Sequence, residues 1–168
     1  MTPPELMQLP HQPYVDAVVR AVGEAGYPTG PDSFTEYDRS DGELMWLEAS
    51  VDLGSAGFDQ DDDDDPEDLV RAGLAWKQTT GWLVGDYDGR GGYEHVQPVF
   101  APGAVLPTPE AVAAAVRQLF TGGLRYRQTA DDTPPTEKAL PDAVAEALEV
   151  GDITADLAAR LAAYWPAV

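Results

Sequence analysis

Residues 43–53, ELMWLEASVDL, alternate between apolar and polar positions without a break. Met45, Leu47, Ala49, Val51 and Leu53 fall on one side of an extended chain; Trp46, Glu48, Ser50 and Asp52 fall on the other. Successive side chains of a strand point to opposite faces, so the pattern predicts a strand with one buried and one polar face. Such a sheet needs a covering layer on its apolar side.

The flanking sequence supplies that layer. Upstream, residues 13–25 (PYVDAVVRAVGEA) place Tyr14, Val15, Val18, Val19 and Val22 at helical spacing, with Pro13 in the first turn and Gly26 as a stop. Downstream, a helix is expected over 109–121. Thr108 suits its cap and Glu110 its positive end; Val112, Val116, Leu119 and Phe120 form the apolar stripe, and Gly122-Gly123 ends it.

Between the helices lie further strands. A short one is expected at Phe34–Tyr37, and structure resumes over 69–80 (LVRAGLAWKQTT), continuing through GWLVGDYD to EHVQPVF. Asp88-Gly89 with Gly91-Gly92 offers the positive-φ residues of a hairpin, and Pro98 marks a sheet edge or a strand end. Short links between sequential strands favour an antiparallel meander. Residues 127–138 read as a linker, followed by two short helices, Pro141 to Val150 and Thr154 to Trp165. The expectation is a two-layer α+β fold: an antiparallel β-meander packed against an N-terminal and a post-sheet helix, with a C-terminal helical appendage. Residues 1–126 would form the α+β domain, including an acidic loop at 54–68. Residues 127–168 would be a linker and helical tail packed on the same domain.

The chain has 168 residues, 30 acidic and 10 basic, for a formal net charge of −20. Residues 1–68 carry 18 of the acidic side chains and two of the basic ones, Arg20 and Arg39. Such a charge repels nucleic-acid phosphate and anionic lipid, so neither a free duplex nor a membrane surface is an expected partner. The same acidity also arises from a composition rich in Ala, Gly and Pro with only two lysines, Lys77 and Lys138, or from adaptation to high salt. No cysteine is present, which excludes a disulfide scaffold, a thiolate zinc site and a cysteine nucleophile. The first residues, MTPPELMQLPHQP, lack the basic and apolar regions of a signal peptide, and no apolar run reaches the ~20 residues that span a bilayer. A cytoplasmic protein is expected.

No motif names a reaction. An EF-hand register from Asp61 meets Pro66 at position 6 and Ala72 at position 12. A register through Asp86, Asp88 and Gly89 leaves Val84 at position 1 and His95 at position 12. Weak divalent-cation binding to Asp61–Asp65 is what remains, on oxygen density alone. A transition metal would need His95 with Glu94, Asp86 or Asp88; a strand-surface histidine is the simpler reading, and no metal or cofactor is assigned. None of Ser33, Ser40, Ser50 and Ser55 lies on a nucleophile elbow, and the run GDYDGRGG fits no nucleotide-binding fingerprint. Arg117, Arg125 and Arg127 gather near the end of the second long helix, where basic residues complement the dipole.

The aromatics give the candidate binding residues. Trp46 shares the polar strand face with Glu48 and Asp52, while Trp76 and Trp82 flank the KQTTG turn. Tryptophan on a polar sheet face anchors partners. These five residues form the candidate surface unless the helical tail, with Tyr164 and Trp165, covers it, which is the arrangement favoured by its apolar content.

Residues 11–30 (HQPYVDAVVRAVGEAGYPTG), 74–85 (LAWKQTTGWLVG) and 106–120 (LPTPEAVAAAVRQLF) together resemble an uncharacterised actinobacterial domain of unknown function. The resemblance covers about residues 11–122, omits the Asp run and the tail, and implies no activity. The helix–meander–helix order also resembles small chaperone-like α+β domains that bind other proteins. The expected function is a non-enzymatic interaction module that binds a protein partner, or itself, through the sheet. The alternatives are an acidic nucleic-acid mimic that occupies a basic DNA-binding protein, and an enzyme using carboxylates around Asp86, Asp88 and Glu94.

Overall fold

In the computed structural model, which describes residues 9–27, 29–30, 33–40, 43–54, 71–87, 92–122 and 132–166, the alternating stretch is strand β2 (Glu43–Gly54). At 37–40, 43–46, 71 and 122 only the backbone is considered. Strand β1 (Phe34–Ser40) precedes β2, and β3 (Arg71–Lys77), β4 (Gly81–Tyr87) and β5 (Tyr93–Pro98) follow it. All four pairings are antiparallel and the spatial order is the chain order, so the sheet is the predicted meander. The expected short strand at 34–37 runs on to Ser40. Pro98 satisfies both readings given to it, because β5 is an edge strand and Pro98 ends it. The Asp61–Asp65 run, the Asp88-Gly89 turn, Arg125 and Arg127 lie outside the described residues.

Helix α1 (Gln12–Glu24) and helix α2 (Pro109–Gly122) cover one face of the sheet. Helix α1 closes with two backbone hydrogen bonds at its end, Gly26 N–H to the Gly23 carbonyl and Tyr27 N–H to that of Val22. That geometry needs a left-handed residue, and Gly26 supplies it at φ +95°. Thr108 caps α2, its Oγ1 accepting from Ala111 N–H at 3.3 Å. In the tail, α3 (Asp142–Glu149) and α4 (Ala155–Leu161) follow in turn, and α4 gives way to a 3₁₀ turn over Ala162–Tyr164.

Tyr14, Val18 and Val22 of α1 and Val112 and Val116 of α2 meet Leu47, Val51, Leu74, Trp76, Trp82 and Val84 of the sheet in one buried cluster. Each such side chain contributes about 1.5–3 kcal/mol when removed from water. Val144, Ala147, Leu157 and Leu161 of the tail belong to the same cluster. The tail therefore lies on the helix side of the sheet, not over its polar face as expected. Tyr164 packs against Tyr14 with ring centroids 5.0 Å apart, and the Trp165 Nε1–H donates to the Pro10 carbonyl at 3.1 Å. The apolar sides of α3 and α4 need apolar surface, and they find it in the cluster that α1 and α2 form with the sheet.

Candidate functional site

Register sorts the side chains of the sheet. Ala49 pairs with Trp76 and Trp76 with Trp82, so both tryptophans share the face of Leu47, Ala49 and Val51, beneath the helices. They are 0% and 1% exposed. Their reading as docking residues is therefore corrected: neither reaches the surface, and both indole N–H groups are satisfied inside. Trp76 Nε1 donates to the Val105 carbonyl at 2.7 Å, and Trp82 Nε1 to the Tyr14 hydroxyl at 2.8 Å, which itself donates to the Pro107 carbonyl at 2.7 Å.

Asp52 does fall on the opposite face, yet it is 1% exposed. The segment around Gly30 crosses over it: Gly30 N–H donates to the Asp52 carbonyl, Ser33 Oγ accepts from Asp52 N–H, and Oδ1 of Asp52 accepts from Gly54 N–H. Asp52 thus ties a loop to β2 and is not a docking residue. Glu48 stays half-buried and pairs across the strands with Lys77 at 2.9 Å. Trp46 occupies a polar-face position by register, opposite Asp38, and its side chain lies outside the described residues.

Among the described residues no helix covers this second face, and its character comes from residues not singled out above. Tyr93 of β5 reaches across two strands. Its hydroxyl donates to the Leu74 carbonyl at 3.0 Å and bonds Ser50 Oγ, while its ring stacks on Tyr87 at 4.8 Å. Gly73 permits that reach, since a Cβ there would come within 2.8 Å of both Tyr93 Cε1 and Tyr87 Cβ. Beside this tyrosine strap, Ala75, Leu83, Val96 and Pro98 form an apolar patch. Leu83 pairs with both Ala75 and Pro98, and Val96 is 50% exposed. The period-two pattern of GWLVGDY carries the signal that places Leu83 and Tyr87 together; Tyr93 over Gly73 has none.

The β5 edge is closed to strand addition in another way. Two steps on β4, Val84 to Asp86, face three on β5, Gln97 to Glu94, so β5 bulges. His95 sits in the bulge at φ +51°, its Nδ1 2.8 Å from Asp86 Oδ2. A bulge, a charge at Glu94 and a terminal proline are devices that blunt an edge. His95 is 81% exposed by side chain. Among the described residues no group of three or more His, Asp or Glu is arranged to hold a metal ion. Nor, among them, is any helix long and apolar enough to cross a membrane.

His11, unassigned by sequence, is the other polar group of note. It occupies the N-cap position of α1 without a side-chain capping bond, is fully buried, and stacks on Trp76 at 5.4 Å. Its Nε2 lies 2.8 Å from the Glu48 carbonyl, which can only accept, so Nε2 carries the proton. Among the described residues Nδ1 has no hydrogen-bond partner. Burial holds the imidazole neutral, with its pKa lowered to about 4, against the opposing pull of the Glu48 and Glu36 carbonyls.

No family model, no curated protein and no solved structure matches this chain.

Proposed function

We propose that this chain is a protein-interaction module that engages a partner through the sheet face left open by the described helices, at the patch of Ala75, Leu83, Val96 and Pro98. The observation that carries this reading is the one-sided helical cover of the sheet: the described helices pack on one face, and the other, where Ser50, Asp52 and Tyr87 are buried without them, keeps an apolar patch beside ordered tyrosines. The blunted β5 edge directs contact to the face and away from strand pairing. A net charge of −20 opposes self-association at low salt and favours a partner that surrounds an apolar contact with basic groups. A face of tyrosine and aliphatic side chains favours a protein partner over mimicry of a duplex, which would need carboxylates along it.

The test is affinity capture with the wild-type chain, Val96→Asp and Leu83→Lys, followed by hydrogen-exchange mapping of the bound partner. Loss of the partner in both variants, with protection over 74–98 in the wild type, supports the reading. A partner whose footprint falls on α1 and α2, or that binds both variants normally, refutes it.

A further inference from the structure

A cavity of about 300 Å³ opens on the helix side, away from the patch, where four segments of the chain meet. The β3–β4 turn contributes Gln78 and Thr79, the segment before α2 contributes Val105 and Leu106, Asp132 forms one wall, and the α3–α4 turn with α4 closes the rest. Its floor is apolar, made by Leu106, Ile153 and Leu157. Small-molecule sites combine such a floor with a few convergent polar groups, and this volume lies at the lower end of their range.

Three carboxylates line the cavity, those of Asp132, Asp152 and Asp156, with the Arg160 guanidinium among them. Asp156 and Arg160 neutralise each other, Nε to Oδ2 at 2.7 Å, and the guanidinium also donates to the Thr133 carbonyl. Among the described residues Asp132 makes no such short side-chain pair, though the Arg160 guanidinium lies close enough to favour its charged form. Its Oδ1 accepts the backbone N–H of Leu106 at 3.1 Å, and its carboxyl pKa is raised, first by desolvation. A half-buried carboxylate facing an apolar floor gains most from a cation that brings its own apolar surface. A divalent metal fits poorly, since it takes six or more oxygen ligands and, among the described residues, no three acidic groups are arranged to hold a metal ion.

We propose that this cavity binds a small organic cation, its ammonium group against the Asp132 carboxylate and its apolar body on Leu106, Ile153 and Leu157. The wall is fixed before any ligand arrives. Trp76 Nε1 holds the Val105 carbonyl, Tyr14 holds that of Pro107, and Thr133 N–H donates to the Leu106 carbonyl at 2.9 Å. Little ordering remains to oppose binding.

The probe is benzylammonium, with benzyl alcohol and phenylacetate as neutral and anionic comparators, titrated into the full chain in about 0.15 M salt to screen the general attraction of an acidic surface. Amide shifts are expected to saturate at 103–106, 132–133 and 151–157 with benzylammonium alone. Asp132→Asn keeps an acceptor for Leu106 N–H and should weaken binding about tenfold or more. Thr79→Trp, at an exposed turn, should abolish binding by filling the mouth, and it serves should the Asp132 variant lose its dispersed spectrum. Equal binding of the alcohol or the anion, unchanged affinity in either folded variant, or shifts that never saturate and scatter over the acidic surface would each overturn the proposal.

Discussion

Protonation of His11 should unlatch the start of α1, and its cost can be worked from the structure. The imidazole has an ordinary pKa of 6.5 in an unfolded chain and about 4 when folded, because burial disfavours the charged form by more than the Glu48 and Glu36 carbonyls favour it, and among the described residues Nδ1 has no hydrogen-bond partner. The folded pKa is depressed, so the unfolded state takes up the proton first. The contribution to stability is complete above 6.5, declines as the pH falls, and is lost on reaching about 4. Each pKa unit is worth about 1.4 kcal/mol, so the interval corresponds to about 3 kcal/mol. That is a large fraction of the stability of a domain this size, about 5–15 kcal/mol.

The assay is urea unfolding of the wild type and of His11→Phe across that pH interval. Phenylalanine keeps the stack on Trp76 and does not titrate. The many carboxylates titrate in both proteins, so the difference between the two curves isolates His11. At neutral pH the variant should be the less stable, having lost the bond to the Glu48 carbonyl. On acidification the wild-type advantage should shrink by about 3 kcal/mol and change sign. A difference that stays flat across the interval, or an imidazole resonance that titrates near 6.5, would refute the burial argument.

Four further outcomes follow from the same contacts. Tyr14→Phe removes the hydroxyl that joins Trp82 Nε1–H to the Pro107 carbonyl, leaving both buried groups unpaired; chemical unfolding should show a loss of about 1–3 kcal/mol. Gly73→Ala pushes a methyl group against Tyr93 and Tyr87 and should cost about 1–3 kcal/mol, with faster exchange of the β5 amides. Added sodium chloride should raise the melting temperature, since it screens the self-repulsion of a chain at −20; a flat or falling response would mean that the charges are already compensated. Ending the chain after residue 127 removes Leu157, Leu161, Val144 and Ile153 from the core and should abolish cooperative unfolding, as read by circular dichroism.

The elements were legible because their signals are local. The alternation of 43–53, the valine stripe of α1 and the Thr108-Pro109 start of α2 each state their own structure within a few residues. Trp76 and Trp82 were misplaced although a local signal existed. Ala72, Leu74 and Trp76 alternate with Gly73, Ala75 and Lys77, which puts Trp76 among the larger apolar groups, and the tight turn then puts Trp82 opposite it. Asp52 looked accessible because strand parity reports the face and not what crosses it; the Gly30 segment is what buries it. The position of the tail, the burial of His11 and the reach of Tyr93 depend on pairs 19 to 155 residues apart in sequence, which no period within a window can express.

The misplaced tryptophans also explain how the domain fixes its loops. A buried indole or phenol must satisfy its polar atom, and a core of aliphatic side chains offers no acceptor. Here the chains of donors end on backbone carbonyls of non-helical segments: Val105 for Trp76, Pro107 for Trp82 by way of the Tyr14 hydroxyl, and Pro10 for Trp165. The aromatic core therefore pins residues 105–107 from one side, while the Leu106 bonds to Asp132 and Thr133 pin them from the other. A segment without repetitive structure acquires the rigidity of the sheet it leans on. Side chains serving burial alone could be leucines; the Trp76 indole and the Tyr14 phenol, with one polar atom each, also hold residues 105–107, where Val105 and Leu106 line the cavity.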